Sequence, residues 1–480
     1  MHDLVIRNGL VVDGTGAPGG PGDVAVDGGR ITGVEPAGGA GKGRREIDAD
    51  GLLVLPGWVD IHTHYDGQVT WDPDVTPSSW QGVTTVVTGN CGISLAPLEP
   101  REPPPAPLSL IGDAAAFYPS FQAYRAALAR RPPLINAALM VGHSTLRVGS
   151  MADWSQAASA DEIATMRAKL GEALDAGVVG FSTGLFYPPG RPAPIPEVVA
   201  LAALLADTGA VYTTHMRDEG DAVEDSIEES LETARRAGVP LVISHHKCVG
   251  QRNFGRSRQT LAKVEQARRT QEVMLDVYPY AASSTVLLPE FVNEGVRITI
   301  AWSKPHPELV GCDLADVAAA WRCDLKQAAT RLDPAGAIYH AMNEDDVRRI
   351  LAYPHSMVAS DGLPHDIRPH PRLWGTFPRV LGHYVREIGL LTLEDAVRRM
   401  TGLPAANYRL DGRGVVREGA YADLVLFDPA TIIDTASYDD PVQPAKGIEM
   451  VLVNGCTVLD GGQVVDHHAG RVLSRKRTAS

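Results

Sequence analysis

His62-Thr63-His64 follows the apolar run that begins at Trp58. Residues two apart on an extended strand share a face, so both imidazoles can grip one ion. Two more histidines end similar runs, His215 after "VYTT" and His245 after "VIS", and Asp361 ends "MVASD". A lone histidine is ordinarily a core or surface residue. Four of them plus an aspartate, each leaving a strand-like run, point to a metal centre with a carboxylate in reach. His143, His246 and His383 have no such support and read as structural. Cys91 lies in "TGNCGIS", a glycine-flanked turn behind "VTTVV", where it can be a buried apolar residue, half of a disulfide or a working thiolate. The cysteines, at 91, 248, 312, 323 and 456, are odd in number, sparse and widely spaced, a poor disulfide framework.

These residues need elements to position them. From residue 53 onward apolar, β-branched runs alternate with helical patterns: 58 to 64, 84 to 90, 136 to 143, 179 to 184, 211 to 219, 241 to 247, 273 to 280 and 356 to 362. Between them, 159 to 176 opens with a Ser159/Glu162 capping box, aligns Ile163, Met166, Leu170 and Leu174 on one face, and stops at Gly177. Val223, Ile227 and Leu231 form a second stripe, on a segment ending at Gly238. Such alternation implies parallel strands with crossover helices, and eight repeats predict a closed (β/α)8 TIM barrel. In that fold active groups stand at the C-terminal ends of strands, where His62, His64, Cys91, His143, His215, His245, Lys247, Tyr278 and Asp361 all fall. An open doubly wound sheet would draw its ligands from fewer strands.

"VIRNGLVVDG" (5 to 14) and "VLVNGCTVLDG" (451 to 461) both read as strand, Asn-Gly turn, strand. Residues 1 to 55 and 411 to 480 are therefore expected to form one small β-sandwich domain around the barrel of 56 to 410. The stretch from about 285 to 350 is too long for an ordinary connection. It reads as a subdomain inserted after strand seven, with helical pieces "ADVAAAWRC" and "DLKQAATRL" and the character of a lid or specificity element. The Gly/Pro-rich stretches 16 to 22 and 101 to 107 read as loops, and 474 to 480 as a frayed tail.

Bulk properties narrow the function. The chain has 480 residues, 44% hydrophobic and 21% charged, and a net charge of -14 with a pI near 5.5. No basic stripe serves a nucleic acid, no apolar run is long enough to span a bilayer, and the N-terminus lacks a secretory pattern. A cytoplasmic protein is expected, monomeric or homo-oligomeric.

The strand-one His-x-His, single histidines on strands five and six and the aspartate on strand eight resemble the amidohydrolase superfamily. Many members also bridge two metals with a carboxylated lysine or a glutamate on strand four; "GFSTGLFYPPG" has neither. Among strand ends the remaining anionic ligand is Cys91, with Gly89 and Gly92 allowing a tight turn beside it. "GNCG" together with "STGLFYPPG", "HMRDEGD", "SHHK" and "SDGLPHDIRPHPRLWG" closely resembles the N-acyl-D-amino-acid deacylases, from the N-terminal hairpin to "EGAYADLVLFD" (418 to 428).

That resemblance implies a tight zinc held by Cys91, His215 and His245, with His62 and His64 offering a second, weaker position that shares Cys91. Thiolate and imidazole suit zinc. It implies Asp361 as general base and acid in hydrolysis of the amide of an N-acyl-D-amino acid. It implies Arg372, Lys247 and Tyr278 as the clamp on the substrate carboxylate, and Tyr187 and Ser284 as pocket donors. Arg368, the competing arginine, reads as loop surface. Phe291 stands where glutamate-specific relatives carry an arginine, which implies a preference for hydrophobic side chains; simple packing of the inserted subdomain is the plain alternative. The rival readings are a cyclic-amide hydrolase (dihydroorotase or hydantoinase), a deacylase of N-acyl-D-glutamate, another carboxylate-bearing amide as substrate, and a catalytically inert metal-binding scaffold.

Overall fold

The computed structural model describes every residue except Arg101, 466–467 and 476–480, so most of the tail expected to fray lies outside the described residues. Eight parallel strands follow one another in chain order: Trp58–Asp60, Val83–Thr88, Asn136–Gly142, Gly180–Gly184, Val211–His215, Leu241–Ile243, Val273–Val277 and Ser356–Val358. We number these barrel strands one to eight. The barrel closes just past its strand ends, where Asp361 N donates to His62 O at 2.9 Å and His64 N to Gly362 O at 3.0 Å. Alternate residues fill the interior, including Val59, Val87, Met140, Val211, Val242 and Met357, as expected of a barrel whose centre is a packed core.

The crossover helices form where sequence patterning puts them. The helix Ala160–Asp175 starts at the Ser159/Glu162 capping box and buries Met166, Leu170 and Leu174. The helix Val223–Ala237 buries Val223, Ile227 and Leu231 and ends at Gly238, whose φ of 68° gives the left-handed C-terminal turn.

Strands from both ends of the chain share one nine-stranded sheet. His2–Val11 pairs with Gly20–Asp27 on one side and with Gly43–Asp48 and Leu53–Pro56 on the other; Leu424–Phe427 joins Leu53–Pro56 and leads to Ile448–Val453 and Cys456–Asp460. The sheet curls until Ile31 N and Gly29 O meet residues 420 and 422, enclosing Leu4, Ile6, Val24, Val54, Leu424 and Leu452. The two Asn-Gly pairs differ. Asn454-Gly455 makes the expected hairpin, with φ of 50° and 82°. Asn8-Gly9 does not turn the chain: it is a bulge inside one continuous strand, because the Asp23 carboxylate accepts the Asn8 N–H at 3.1 Å and paired strands flank both sides.

After strand seven comes a three-stranded antiparallel sheet, Ser283–Val286, Ala335–His340 and Arg297–Ser303, with the helices Leu314–Trp321 and Leu325–Leu332. It has its own core of Leu287, Ile300, Leu314, Leu332 and Tyr339. At the opposite end of the barrel Val472–Leu473 pairs in parallel with strand three at Ala137 and Ala138, and strand four meets strand three from Leu139 onward, where Val179 N donates to Leu139 O at 2.9 Å. Buried Arg475 pins this segment, donating to Thr208 O at 2.8 Å, to Leu174 O at 3.1 Å and to Val178 O. No helix among the described residues is long and apolar enough to cross a membrane.

Candidate metal centre

His62-Thr63-His64 lies just beyond strand one, pinned by Thr63, whose N–H and hydroxyl both donate to Val87 O at 3.2 and 2.8 Å. Strand two ends in the Cys91 turn, and strands five, six and eight deliver His215, His245 and Asp361. Cys91 Sγ is 3.2 Å from His62 Nε2 and 3.4 Å from His245 Nε2. Asp361 Oδ1 is 3.2 Å from His64 Nε2 and 3.5 Å from His62 Nε2. Ligand atoms of Cys91, His215 and His245 fall within 4.8 Å of one another, as do those of His62, His64 and Cys91 and those of His62, His245 and Asp361. Cys91, His245 and Asp361 hold φ values of 51°, 33° and 49°. A non-glycine residue keeps such a backbone only where its surroundings impose it.

The electrostatics ask for a cation. Burial would raise the Cys91 thiol, but the charges of His62 and His245 and the nearness of the His215 and His245 imidazoles hold it well below an ordinary thiol. Burial would likewise raise Asp361, and Arg372, His62 and His245 overrule it. In return, His64, which burial alone would lower, is pushed up to about 9 by hydrogen bonds to Asp361 and Cys91. Neither ring nitrogen of buried His215 makes a hydrogen bond, although Glu219 Oε2 lies 3.8 Å from its Nε2. An orphaned imidazole beside a thiolate, with protons massed on neighbouring histidines, is a donor set that fits zinc.

Three residues that sequence patterning did not single out complete the centre. Asp276 of strand seven is 3.2 Å from His62 Nδ1 and accepts the His245 N–H at 2.7 Å, which turns the other nitrogen of His62 toward Cys91. A lone aspartate in the apolar run "VMLDVY" was its signal. Glu219 takes Lys247 Nζ at 2.7 Å and faces His245 Nδ1 at 3.1 Å. Burial would raise its carboxyl, but Lys247, His215 and His245 hold it far below the usual range. Ser182 of strand four accepts the Gly92 N–H at 3.0 Å.

A cavity of about 880 Å³ opens over the cluster, lined by His64, Cys91, His215, His245 and Asp361, and further out by Lys247, Tyr187, Ser284 and Phe291. Arg372 and Tyr278 are not in this wall. Arg372 is buried behind it, 2.8 Å from Asp361 Oδ2, with its guanidinium 4.5 Å from the Tyr278 ring centre. Tyr187 OH meets Thr285 Oγ1 at 2.9 Å, and Ser284 Oγ donates to Asp366 at 3.3 Å. Phe291 stacks on Phe186 at 4.3 Å and also joins the core of the inserted subdomain. Arg368 is half-buried and donates to the carbonyls of Tyr438 and Asp439, tying down a remote segment. The other histidines stay apart: His143 is 3.0 Å from Glu197, His246 is 2.8 Å from Thr260, and His383 is 2.8 Å from Glu387.

A barrel with this centre at its C-terminal mouth is the architecture of a metal-dependent hydrolase, and the comparisons agree. The family model described as "Amidohydrolase family" matches residues 45–459, and the chain belongs to that family. It is 50% identical to a D-aminoacylase of Alcaligenes xylosoxydans xylosoxydans over 474 residues, covering 98% of each chain. A solved structure of D-aminoacylase, described for its binuclear metal center, superposes with a TM-score of 0.97 at 50% identity, covering 99% of this chain and 100% of that one. The N-acyl-D-glutamate deacylase of Bordetella bronchiseptica, solved with zinc and a phosphonate inhibitor, superposes with a TM-score of 0.95 at 48% identity, covering 98% and 99%.

Proposed function

We propose that the chain hydrolyses N-acyl-D-amino acids to a carboxylate and a free D-amino acid. The observation that carries this reading is the convergence of Cys91, His215, His245, His62, His64 and Asp361 beneath a cavity sized for a small organic acid, in a chain half identical to a D-aminoacylase. Cys91, His215 and His245 would hold a tight zinc, and His62 and His64 with Cys91 a second, weaker metal position. Zinc there supplies Lewis acidity, polarising a carbonyl and lowering the pKa of water.

The chain's own groups do the rest. Asp361, held ionised by Arg372 and the histidines, takes a proton from water as the new C–O bond forms. It returns that proton to the amide nitrogen as the C–N bond breaks. Lys247 offers the α-carboxylate a cation from the cavity wall, with Arg372 and Tyr278 supporting from behind. Tyr187 and Ser284 present hydroxyls to the substrate.

Phe291, Phe186, Tyr187 and Leu363 make an apolar side-chain pocket, which favours hydrophobic D-amino acids because an unpaired carboxylate there costs roughly several kcal/mol. One observation favours the N-acyl-D-glutamate alternative: the Arg191 guanidinium lies 5.9 Å from the Phe291 ring centre. The cyclic-amide reading loses ground at strand four, which ends in Gly184 rather than a lysine. We place the protein in the cytoplasm, where its five sparse, widely spaced cysteines stay reduced.

Metal analysis of the purified protein, with rates on N-acetyl-D-Leu, N-acetyl-D-Glu, their L-enantiomers and a hydantoin, tests the whole reading. Zinc with D-selective cleavage, fastest on the leucine compound, is expected. Faster turnover of an L-enantiomer or the hydantoin would overturn the reaction class, and preference for N-acetyl-D-Glu the side-chain assignment.

A further inference from the structure

Strand four points Ser182 and Gly184 at the Cys91 turn, while Phe181 and Thr183 face the helical layer. The Ser182 hydroxyl donates to Gly89 O and accepts from Gly92 N at 3.0 Å, so a single oxygen ties together the two ends of segment 89–92. Asn90, inside that segment, donates to Val87 O at 3.0 Å, to Ile61 O at 3.3 Å and to Thr63 O at 3.4 Å. The segment is thereby fastened to the His62-His64 stretch on one side and to strand four on the other. All of these groups are buried, and water cannot replace a lost partner without entering the packed wall.

We propose that Ser182 is a positioning residue for the Cys91 thiolate; the inference rests on the reading of Cys91 as a metal ligand given above. Cys91 has φ 51°, a conformation that a residue with a β-carbon keeps only under external restraint. The Ser182 oxygen supplies that restraint from both flanks, and it sets where Sγ stands relative to His62 Nε2 and His245 Nε2, at 3.2 and 3.4 Å. Outer groups that orient ligands commonly change metal affinity by about 10- to 100-fold when removed. Strand four thus serves the centre through a hydroxyl on the backbone of the ligand's turn.

The test compares S182A with T183A. Thr183 is the matched control: its hydroxyl is equally buried, one residue along, and bonds Thr214 Oγ1 at 2.8 Å and Tyr212 OH at 3.1 Å without touching the Cys91 turn. Each full-length protein is loaded with cobalt(II), whose thiolate charge-transfer band reports the metal–sulfur bond, and metal affinity is measured by chelator competition. Thermal unfolding of the metal-free proteins gives a second readout.

S182A should bind metal about 10- to 100-fold more weakly, with a shifted or weakened thiolate band. T183A should match the wild type in both, and the two variants should unfold at similar temperatures when metal-free. Wild-type affinity and band in S182A overturn the proposal. So does an equal loss in T183A, or a metal-free S182A far less stable than T183A, since either marks general packing. A wild-type protein without any thiolate band would instead overturn the ligand reading of Cys91, an outcome separate from these.

Discussion

Replacing Gly184 by alanine tests, in one atom, whether the Cys91 turn must stand where it does. A Cβ on Gly184 would lie 2.1 Å from Cys91 O, 2.9 Å from Cys91 C and 3.1 Å from Tyr187 Cδ2. Ordinary contact is about 3.5 Å, so the methyl and the Cys91 carbonyl must part by about 1.4 Å. The obstacle is backbone and cannot rotate away. Either the Cys91 carbonyl or strand four at Gly184 must shift, and since Ser182 of that strand holds the turn through Gly92 N, either shift displaces the ligand's turn. Metal–ligand distances tolerate only about 0.2 Å. Overpacking of this kind typically costs about 1–3 kcal/mol, and every 1.4 kcal/mol is tenfold in binding, so zinc should bind roughly 5- to 150-fold more weakly. Chelator competition reads the affinity, and metal-free thermal unfolding checks that the barrel persists. A G184A protein with wild-type zinc affinity and wild-type kcat would refute the claim that this close approach fixes the ligand.

Three further outcomes are expected. Asp361→Asn should lower kcat by about 10²- to 10⁴-fold, the usual worth of a positioned acid-base group, while metal analysis still finds zinc. Phe291→Arg should move the ratio of kcat/KM for N-acetyl-D-Glu over N-acetyl-D-Leu upward by about tenfold or more, read in paired assays; an unchanged ratio would mean that Phe291 only packs the subdomain. Glu197→Gln should cost about 3–5 kcal/mol in urea unfolding at pH 7, because it strands the buried Arg147 guanidinium. Burial raises the Glu197 carboxyl, but His143 and Arg147 bring it down to about 2. The stability it adds is therefore complete above the ordinary carboxylate pKa of about 4.3 and fades as pH falls toward 2. The gap between wild type and E197Q should close across that window.

Much of this was legible in the residues, for identifiable reasons. Strand two, "VTTVVT", and the helix behind Ser159 announce themselves because β-branched runs and capping boxes are local signals. Strand-end position put His62, Cys91, His215, His245 and Asp361 at one mouth, since a barrel gathers its strand ends there; it did not set them apart from His143, which pairs with Glu197 instead, and the choice of Cys91 as a ligand came from the resemblance to the amidohydrolases. Asn8-Gly9 misled because a turn dipeptide also suits a bulge, and the partner that decides, Asp23, is fixed only by sheet pairing. The strand Arg297–Ser303 lies in the stretch read only as an inserted subdomain with helical pieces farther along, and its antiparallel partners are what define it. Asp276 and Ser182 each act on other residues through two hydrogen bonds, and no spacing rule encodes such second-layer support.

The pairing of Val472–Leu473 with strand three bears on how the chain folds during synthesis. The gap between the lower halves of strands three and four is filled by a segment made more than 300 residues after strand three. A nascent chain can therefore assemble every helix-strand unit of the barrel and still have an open seam at its base until residues 471–475 leave the ribosome. Arg475 latches that segment to the carbonyls of Leu174, Val178 and Thr208. Filling that bottom seam is in this sense a late event, since it waits on residues made long after the strands it joins.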